Sequence, residues 1–396
     1  MRVVLNNLTA IGQKTGIGHY VTELLAGLRA EQAGQFLTFP GRWLAPGALA
    51  WRRIHGRMSR LKNWQPGNAS PWAGRDIPRV WIAALARACA AWHFRASWSW
   101  RAFDLYHEPN YIPFPCERPT VATVHDLSLL LHPGWHPAHR ARHFEKHFEP
   151  GLSRCAHLIA DTEFTRRELI RHFNVAPAKV TCIHIGIRAG LGPLPDDTVR
   201  AVRNRLALPE GYLLHVGTLE PRKNLLMLIR AYADLPRAIR ERCPLLLVGG
   251  WGWSTAELAE QVYGGRHCGV RHLGYVADAD LPALYNGARA LVFPSHYEGF
   301  GLPPLEMMAC GGAVIASTAA AIVETVGSQA HLVDPLDVAG WRDAMHRVIA
   351  DDDWRQMLRR GGQEVARPYT WRRCARQTHG VYCAVLGLPQ ASPLAA

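Results

Sequence analysis

The chain has 396 residues, 48% of them hydrophobic and 19% charged; that composition excludes a disordered chain, and the length exceeds one ordinary core, so two domains are expected. The formal net charge is +13 with no recognised nucleic-acid-binding motif beside it, which points to an anionic membrane surface or a phosphate-bearing substrate, with no nucleic acid as partner. Nine scattered cysteines with no C-x-x-C pair argue against a disulfide framework and a zinc site and fit reduced thiols in the cytosol.

The opening "RVVLNNL" reads as a short strand and lacks the apolar core and cleavage site of an export signal. No stretch approaches the ~20 apolar residues that cross a bilayer, so a soluble, cytoplasmic chain is expected. The strand leads through the glycine-bearing "TAIGQKTGIG" to the amphipathic "HYVTELLAGLRA". Residues 45–101 differ in composition and are rich in Trp and Arg. At about 100° per residue, Trp81, Leu85, Ala88 and Trp92 share one helical face, with Arg79 and Arg87 towards the other. Two readings stay open: a helix docked on its own domain with solvated arginines, or one lying at headgroup depth on anionic lipid.

Strand, loop and helix then alternate through "FDLYHEPN", "TVATVHDLSLL", "CAHLIADTEFTRRELIRHF" and "KVTCIHIG", the rhythm of a parallel sheet covered on both faces. His125 ends one of these strands and is expected to reach across a cleft, with Asp126 orienting its loop. His107 and Glu108 end another and are expected to line an acceptor side. A polar, Pro-bearing stretch near 188–210 is read as the domain boundary and hinge, after which the rhythm restarts at "YLLHVGTL". The predicted fold class is α/β, two doubly wound Rossmann-like domains facing across a cleft, with the ligand beyond the strands' carboxyl ends. The expected limits are 1–195, 196–372 and a helix in 373–396 crossing back to the first domain.

In the second domain "YLLHVGTL" ends at Gly217, and Arg222 and Lys223 follow at a helix start. Free backbone N–H groups there favour an anion, and a guanidinium with an ammonium suits a diphosphate. "DAD" at 278–280 precedes a helix and reads as its cap, and no clear D-x-D metal motif is present. In "FPSHYEGFGLPPLEMMACGG", Gly299 and Gly301 let the backbone approach phosphate or sugar oxygens, and Pro303 and Pro304 place Glu306 early in a helix. A carboxylate there can accept both hydroxyls of a ribose. Glu298 sits in the loop itself.

The segments "HVGTLEPRKN", "LGYVADADLPALYNGARALVFPSHYEGFGLPPLEMMACGGAVIAS" and "HLVDPLD" resemble the carboxyl-terminal domain of family 4 retaining glycosyltransferases of the GT-B fold, with Glu298 and Glu306 meeting the E-x7-E spacing. The resemblance is dense over 211–340 and moderate elsewhere. It implies that Arg222 and Lys223 bind a donor diphosphate, Glu306 its ribose and Glu298 its sugar, with His125 shaping the transition state. It further implies donor contacts from Gly217, Gly299, Phe300, Gly301 and Leu302, and from Gly16 and Gly18 of the amino-terminal glycine loop. The implied activity is metal-independent retaining hexosyl transfer from a nucleotide sugar, GDP-mannose first, to a polyprenyl-diphosphate-linked glycan at the inner membrane face, in O-antigen or exopolysaccharide synthesis. No cofactor or metal is expected. UDP- or dTDP-sugar donors, a GT-B epimerase, a sucrose-synthase-like enzyme, and a basic membrane- or nucleic-acid-binding protein with an inactive site are the alternatives.

Overall fold

The apolar runs form strands of two parallel sheets. The computed structural model describes residues 1–11, 16–31, 34–40, 77–98, 102–253, 256–264 and 269–389, without the side chains of 77–86 and 264. In the first sheet β1 (Arg2–Asn6), β2 (Gln35–Phe39), β3 (Leu105–Glu108), β4 (Thr120–Val124), β5 (His157–Ala160) and β6 (Val180–Cys182) stand in the order β2-β1-β3-β4-β5-β6. In the second β7 (Leu213–Val216), β8 (Leu245–Val248), β9 (Val270–Gly274), β10 (Ala290–Phe293), β11 (Ala313–Ser317) and β12 (His331–Val333) stand in the order β12-β11-β10-β7-β8-β9. The ladders are parallel in both sheets. Every residue of β4, β8, β10 and β11 is buried. Helices cover both faces, so these strands are predominantly apolar, with Thr120, Thr123 and Ser317 as buried polar exceptions, and do not alternate with exposed polar residues.

Each sheet reverses its strand order once, between β1 and β3 and between β7 and β10. Connections leave such a point in opposite directions and open a crevice beyond the carboxyl ends. The loop after β7 carries Arg222 and Lys223, and the loop after β10 carries Glu298. Topology alone therefore brings these distant segments to one place.

The chain crosses from the first sheet to the second between Cys182 and Leu213. The helix Trp371–Leu386 returns to the first sheet. It starts where Thr370 accepts the Arg373 N–H at 3.2 Å and ends at Gly387, φ +65°. Its Arg372 and Arg376 meet Glu31 at 3.0 and 2.8 Å. A Cβ on Gly186 would lie 2.4 Å from the Trp371 nitrogen, so the linker must be glycine where this helix begins. The two halves also touch across the cleft. Thr162 donates to the Gly299 carbonyl at 2.9 Å, and Trp253 Nε1 to the Trp135 carbonyl at 2.6 Å. Glu324, from the second half, accepts the first N–H groups of helix Glu163–Phe173, at 2.8 Å from Glu163 and 2.8 Å from Phe164. An anion from one domain thus caps a helix of the other.

His107 and Glu108 do not line an acceptor face, contrary to expectation; both are buried. His107 meets the Tyr382 hydroxyl at 2.6 Å and Thr123 Oγ1 at 2.9 Å, and burial pushes its pKa down to about 3. Glu108 accepts from Asn6, Tyr106 and the Asn110 N–H at 2.7, 2.6 and 3.0 Å. Tyr382 belongs to the returning helix, which covers that strand end from far along the sequence. The helix Ile77–Trp98 docks through Phe94 and Trp98 among Phe39, Phe103 and Phe114. Arg87 is not merely solvated: it donates to the Ile112 carbonyl at 2.8 Å and lies over the Phe114 ring. Trp92 on another face is 72% exposed. The Trp81, Leu85 and Arg79 side chains, and residues 41–76, lie outside the described residues.

Candidate active site

At the second crevice the chain leaves β7, makes a single turn over Pro221–Lys223, passes Asn224 at φ +57° and enters the helix Leu225–Ala233. Arg222 Nη1 lies 2.6 Å from Glu298 Oε2, and Lys223 Nζ 2.5 Å from Glu298 Oε1. Arg222 also holds Glu220 at 2.8 Å and the Tyr297 carbonyl at 2.8 Å, while its own carbonyl accepts the His296 N–H at 3.0 Å. The two loops are thereby fastened together. Burial acts to raise the Glu298 pKa, but the Arg222 guanidinium and Lys223 ammonium overcome it and hold the carboxyl down at about 2. Two cations against Glu220 and Glu298 leave no net charge, so the site offers aimed N–H donors more than a bare positive field. Lys223 has three donors and spends one on Glu298. Both oxygens of Glu298 are occupied by the basic pair, where the sequence had suggested a sugar contact.

Glycines admit the close approaches. A Cβ on Gly299 would stand 1.7 Å from the His125 carbonyl oxygen, so only glycine lets this loop press on the amino-terminal half. Gly301, at φ +94°, precedes the helix Leu302–Ala309. Phe300 turns the other way: its ring packs with His184 and Tyr369, and Leu302 packs against the core.

Glu306 does not touch the basic pair. It lies in the second turn of its helix, 3% exposed, and accepts from the Tyr285 hydroxyl at 2.7 Å and Arg188 Nε at 3.0 Å. Arg188 sits on the linker between the sheets and also reaches Asp278 Oδ1 at 2.6 Å. Asp278 Oδ2 in turn lies 3.5 Å from His19 Nε2. Arg188 and Tyr285 carry no signal in the sequence, and Asp278 shows there only as part of a helix-cap pattern; a lone arginine in a linker says nothing until its partner is seen. Gly16 and Gly18 open the helix Gly16–Ala30 next to His19; Gly16 has open space about it and Gly18 is buried. Residues 12–15 of that loop lie outside the described residues.

His125 keeps its ring within the first half. Nδ1 meets Asp161 Oδ2 at 2.7 Å, Nε2 meets the Pro109 carbonyl at 2.9 Å, and Tyr20 and Tyr111 flank the ring. Two acceptors facing two ring nitrogens require both to carry protons. Burial works against that charge, but Asp161 outweighs it and raises the His125 pKa. The ring does not reach across the cleft; the carbonyl of His125, under Gly299, does. Asp161 was not singled out from the sequence. Asp126 does orient its loop, accepting from the Ser128 N–H at 2.9 Å.

The cap expected of "DAD" is not made. Asp280 precedes the helix Leu281–Gly287, but its carboxylate accepts none of the helix N–H groups and pairs with Arg205 at 2.5 Å instead. Among the described residues one group of three potential metal ligands comes together, Cys182, His184 and Glu324, and it lies outside this site.

Two family descriptions match the chain, "Glycosyltransferase Family 4" over residues 15–190 and "Glycosyl transferases group 1" over 200–365. An Escherichia coli protein described as O-antigen chain mannosyltransferase B is 37% identical over 293 residues, which is 73% of this chain and 77% of that one. The fold is that of sucrose-phosphate synthase from Thermosynechococcus elongatus (TM-score 0.71, 20% identity, 98% of this chain and 99% of that one). It also matches Anabaena Alr3699/HepE in complex with UDP and glucose (TM-score 0.66, 17% identity, 97% of this chain and 100% of that one).

Proposed function

This chain belongs to the group 1, family 4 glycosyltransferases of the GT-B fold, and from that membership we propose that it moves a hexose, best mannose from GDP-mannose, from a nucleotide sugar to a lipid-linked oligosaccharide in cell-surface polysaccharide synthesis. The observation that carries this reading is the convergence of Arg222, Lys223 and Glu298 at the crevice between β7 and β10. The E. coli relative's description supports the polymer and the sugar, and the UDP and glucose bound by the Anabaena protein support a nucleotide-sugar donor.

In the proposed reaction the bond between the anomeric carbon and the diphosphate oxygen breaks as an acceptor hydroxyl oxygen bonds to that carbon. Charge develops on the leaving phosphate, where fixed N–H donors stabilise it most. Lys223 and Arg222 supply them, with Glu298 and Glu220 holding their heads in place. On the front-face route, which retains the anomeric configuration, the leaving phosphate oxygen takes the acceptor's proton. Glu298 is spoken for by two cations, which weighs against its service as a nucleophile. A trapped glycosyl adduct on Glu298 would overturn that preference.

A metal is not required on this reading. Asp278 and Asp280 are already paired with Arg188 and Arg205, so activity should survive EDTA unchanged. No described helix is long and apolar enough to cross a membrane. The exposed Trp92 and the charge of +13 support a peripheral site on the anionic cytoplasmic face. The deciding experiment is a thermal-shift screen of GDP-, UDP-, dTDP- and ADP-sugars, because a ligand of the folded state raises its melting point. A response to GDP-mannose is expected. A stronger response to another base reassigns the donor, and none at all, with salt-dependent DNA binding instead, would remove the enzyme reading.

A further inference from the structure

The carboxylate proposed to hold the donor ribose is already occupied. Glu306 is 3% exposed and accepts from Tyr285 and Arg188. Each Glu306 oxygen keeps a lone pair to spare, but the carboxylate is almost wholly covered, so ribose hydroxyls gain access to it by displacing a covering group. Tyr285 is fully buried in the core, whereas the Arg188 side chain is 29% exposed. Arg188 also has a second anchor, since Nη1 meets Asp278 Oδ1 at 2.6 Å on the half-exposed rim.

We propose that Arg188 is a gate on the ribose-binding carboxylate: it covers Glu306 in the empty enzyme, and the 2′- and 3′-hydroxyls of the donor displace it towards Asp278. This inference rests on the ribose role of Glu306 proposed above. The gate lies on the linker between the two sheets, two residues beyond Gly186, which packs against the start of the returning helix. Asp278 also meets His19 in the helix that follows the amino-terminal glycine loop. Displacing Arg188 therefore perturbs one of the two chain segments that connect the halves, the other being the return to the helix Trp371–Leu386, and donor arrival is sensed at the hinge. The ligand chemistry needed is a vicinal diol on a nucleoside diphosphate. The base is not part of the recognition.

The test uses the full-length protein at pH 8 and compares calorimetric affinities for GDP and UDP with those for their 2′,3′-dideoxy counterparts. Wild type should bind the ribonucleotides more tightly than the dideoxy forms; equal affinities would remove the ribose role of Glu306, and the gate with it. Given that discrimination, Arg188→Met should tighten ribonucleotide binding roughly five- to tenfold, the scale of a partly exposed ion pair no longer competed away. Dideoxy binding should stay unchanged. Unchanged or weaker ribonucleotide binding by a variant that melts like wild type would overturn the gate while leaving the ribose role standing. Should Arg188→Met not fold, phenylglyoxal labelling of wild type decides. The peptide bearing Arg188 should be modified faster with GDP present than without it, and no acceleration would overturn the proposal.

Discussion

Lys223 and Glu298 form the shortest ion pair at the crevice, and their partners make opposite predictions testable. Lys223→Ala should lower kcat by about 10²–10³, the scale of one lost transition-state contact; near-normal turnover in a steady-state assay would take away its role. Glu298→Gln leaves two buried cations short of a counter-charge, at a cost on the order of 3 kcal/mol. Its pH signature follows from the depressed pKa. Because the Glu298 carboxyl is held at about 2 against an ordinary value near 4.5, its contribution is full above pH ~4.5 and is lost as pH falls towards 2. The melting gap between wild type and Glu298→Gln should therefore be widest near neutrality and close on acidification. His125 behaves with the reverse sign. Its pKa is raised by Asp161, so its contribution is full below the ordinary histidine value and fades as pH rises through the elevated one. Asp161→Asn should bring the His125 titration midpoint down in an NMR titration, and an unmoved midpoint would exclude Asp161 as its partner.

At the level of elements, the loops after β7 and β10 were legible because their chemistry is compact. The turn "EPRKN" sets a basic pair at a strand tip, and "EGFGLPP" needs glycine and proline where backbone crowds or a helix starts. Gly299 is the sharpest case, since a methyl group there would meet the His125 carbonyl. Gly299→Ala should leave nucleotide binding by the second half within a few-fold of wild type but sharply reduce transfer, which needs the halves together. Wild-type turnover by this variant would mean the contact is dispensable. The strand ends of the first half were misread for a different reason. His107 and Glu108 look like site residues from their position, yet a helix more than 260 residues later covers His107 through Tyr382, and Asn6, Tyr106 and Asn110 enclose Glu108. Phe300 was assigned with the glycines beside it, but side chains of neighbouring loop residues point opposite ways, and Phe300 points into the core.

Across the whole molecule, two halves are joined by the linker and by the returning helix, and they meet at a few polar contacts. Glu324 capping the helix Glu163–Phe173 is the most directional of these. Glu324→Ala should open the unliganded enzyme, seen as a larger radius of gyration in solution scattering, with both sheets still folded; an unchanged radius would show that the contact does not hold the halves together. The sequence by itself determined the alternation of strands and helices, the two-sheet class and the basic turn at the tip of β7, because these follow from local periodicity and from chemistry within a few residues. Tertiary structure alone decided that Glu298 pairs with Arg222 and Lys223, Asp161 with His125 and Arg188 with Glu306. Each of those pairings joins residues 36 to 118 positions apart, and the side chain that meets a given carboxylate is fixed by how the strands are ordered and how the domains close.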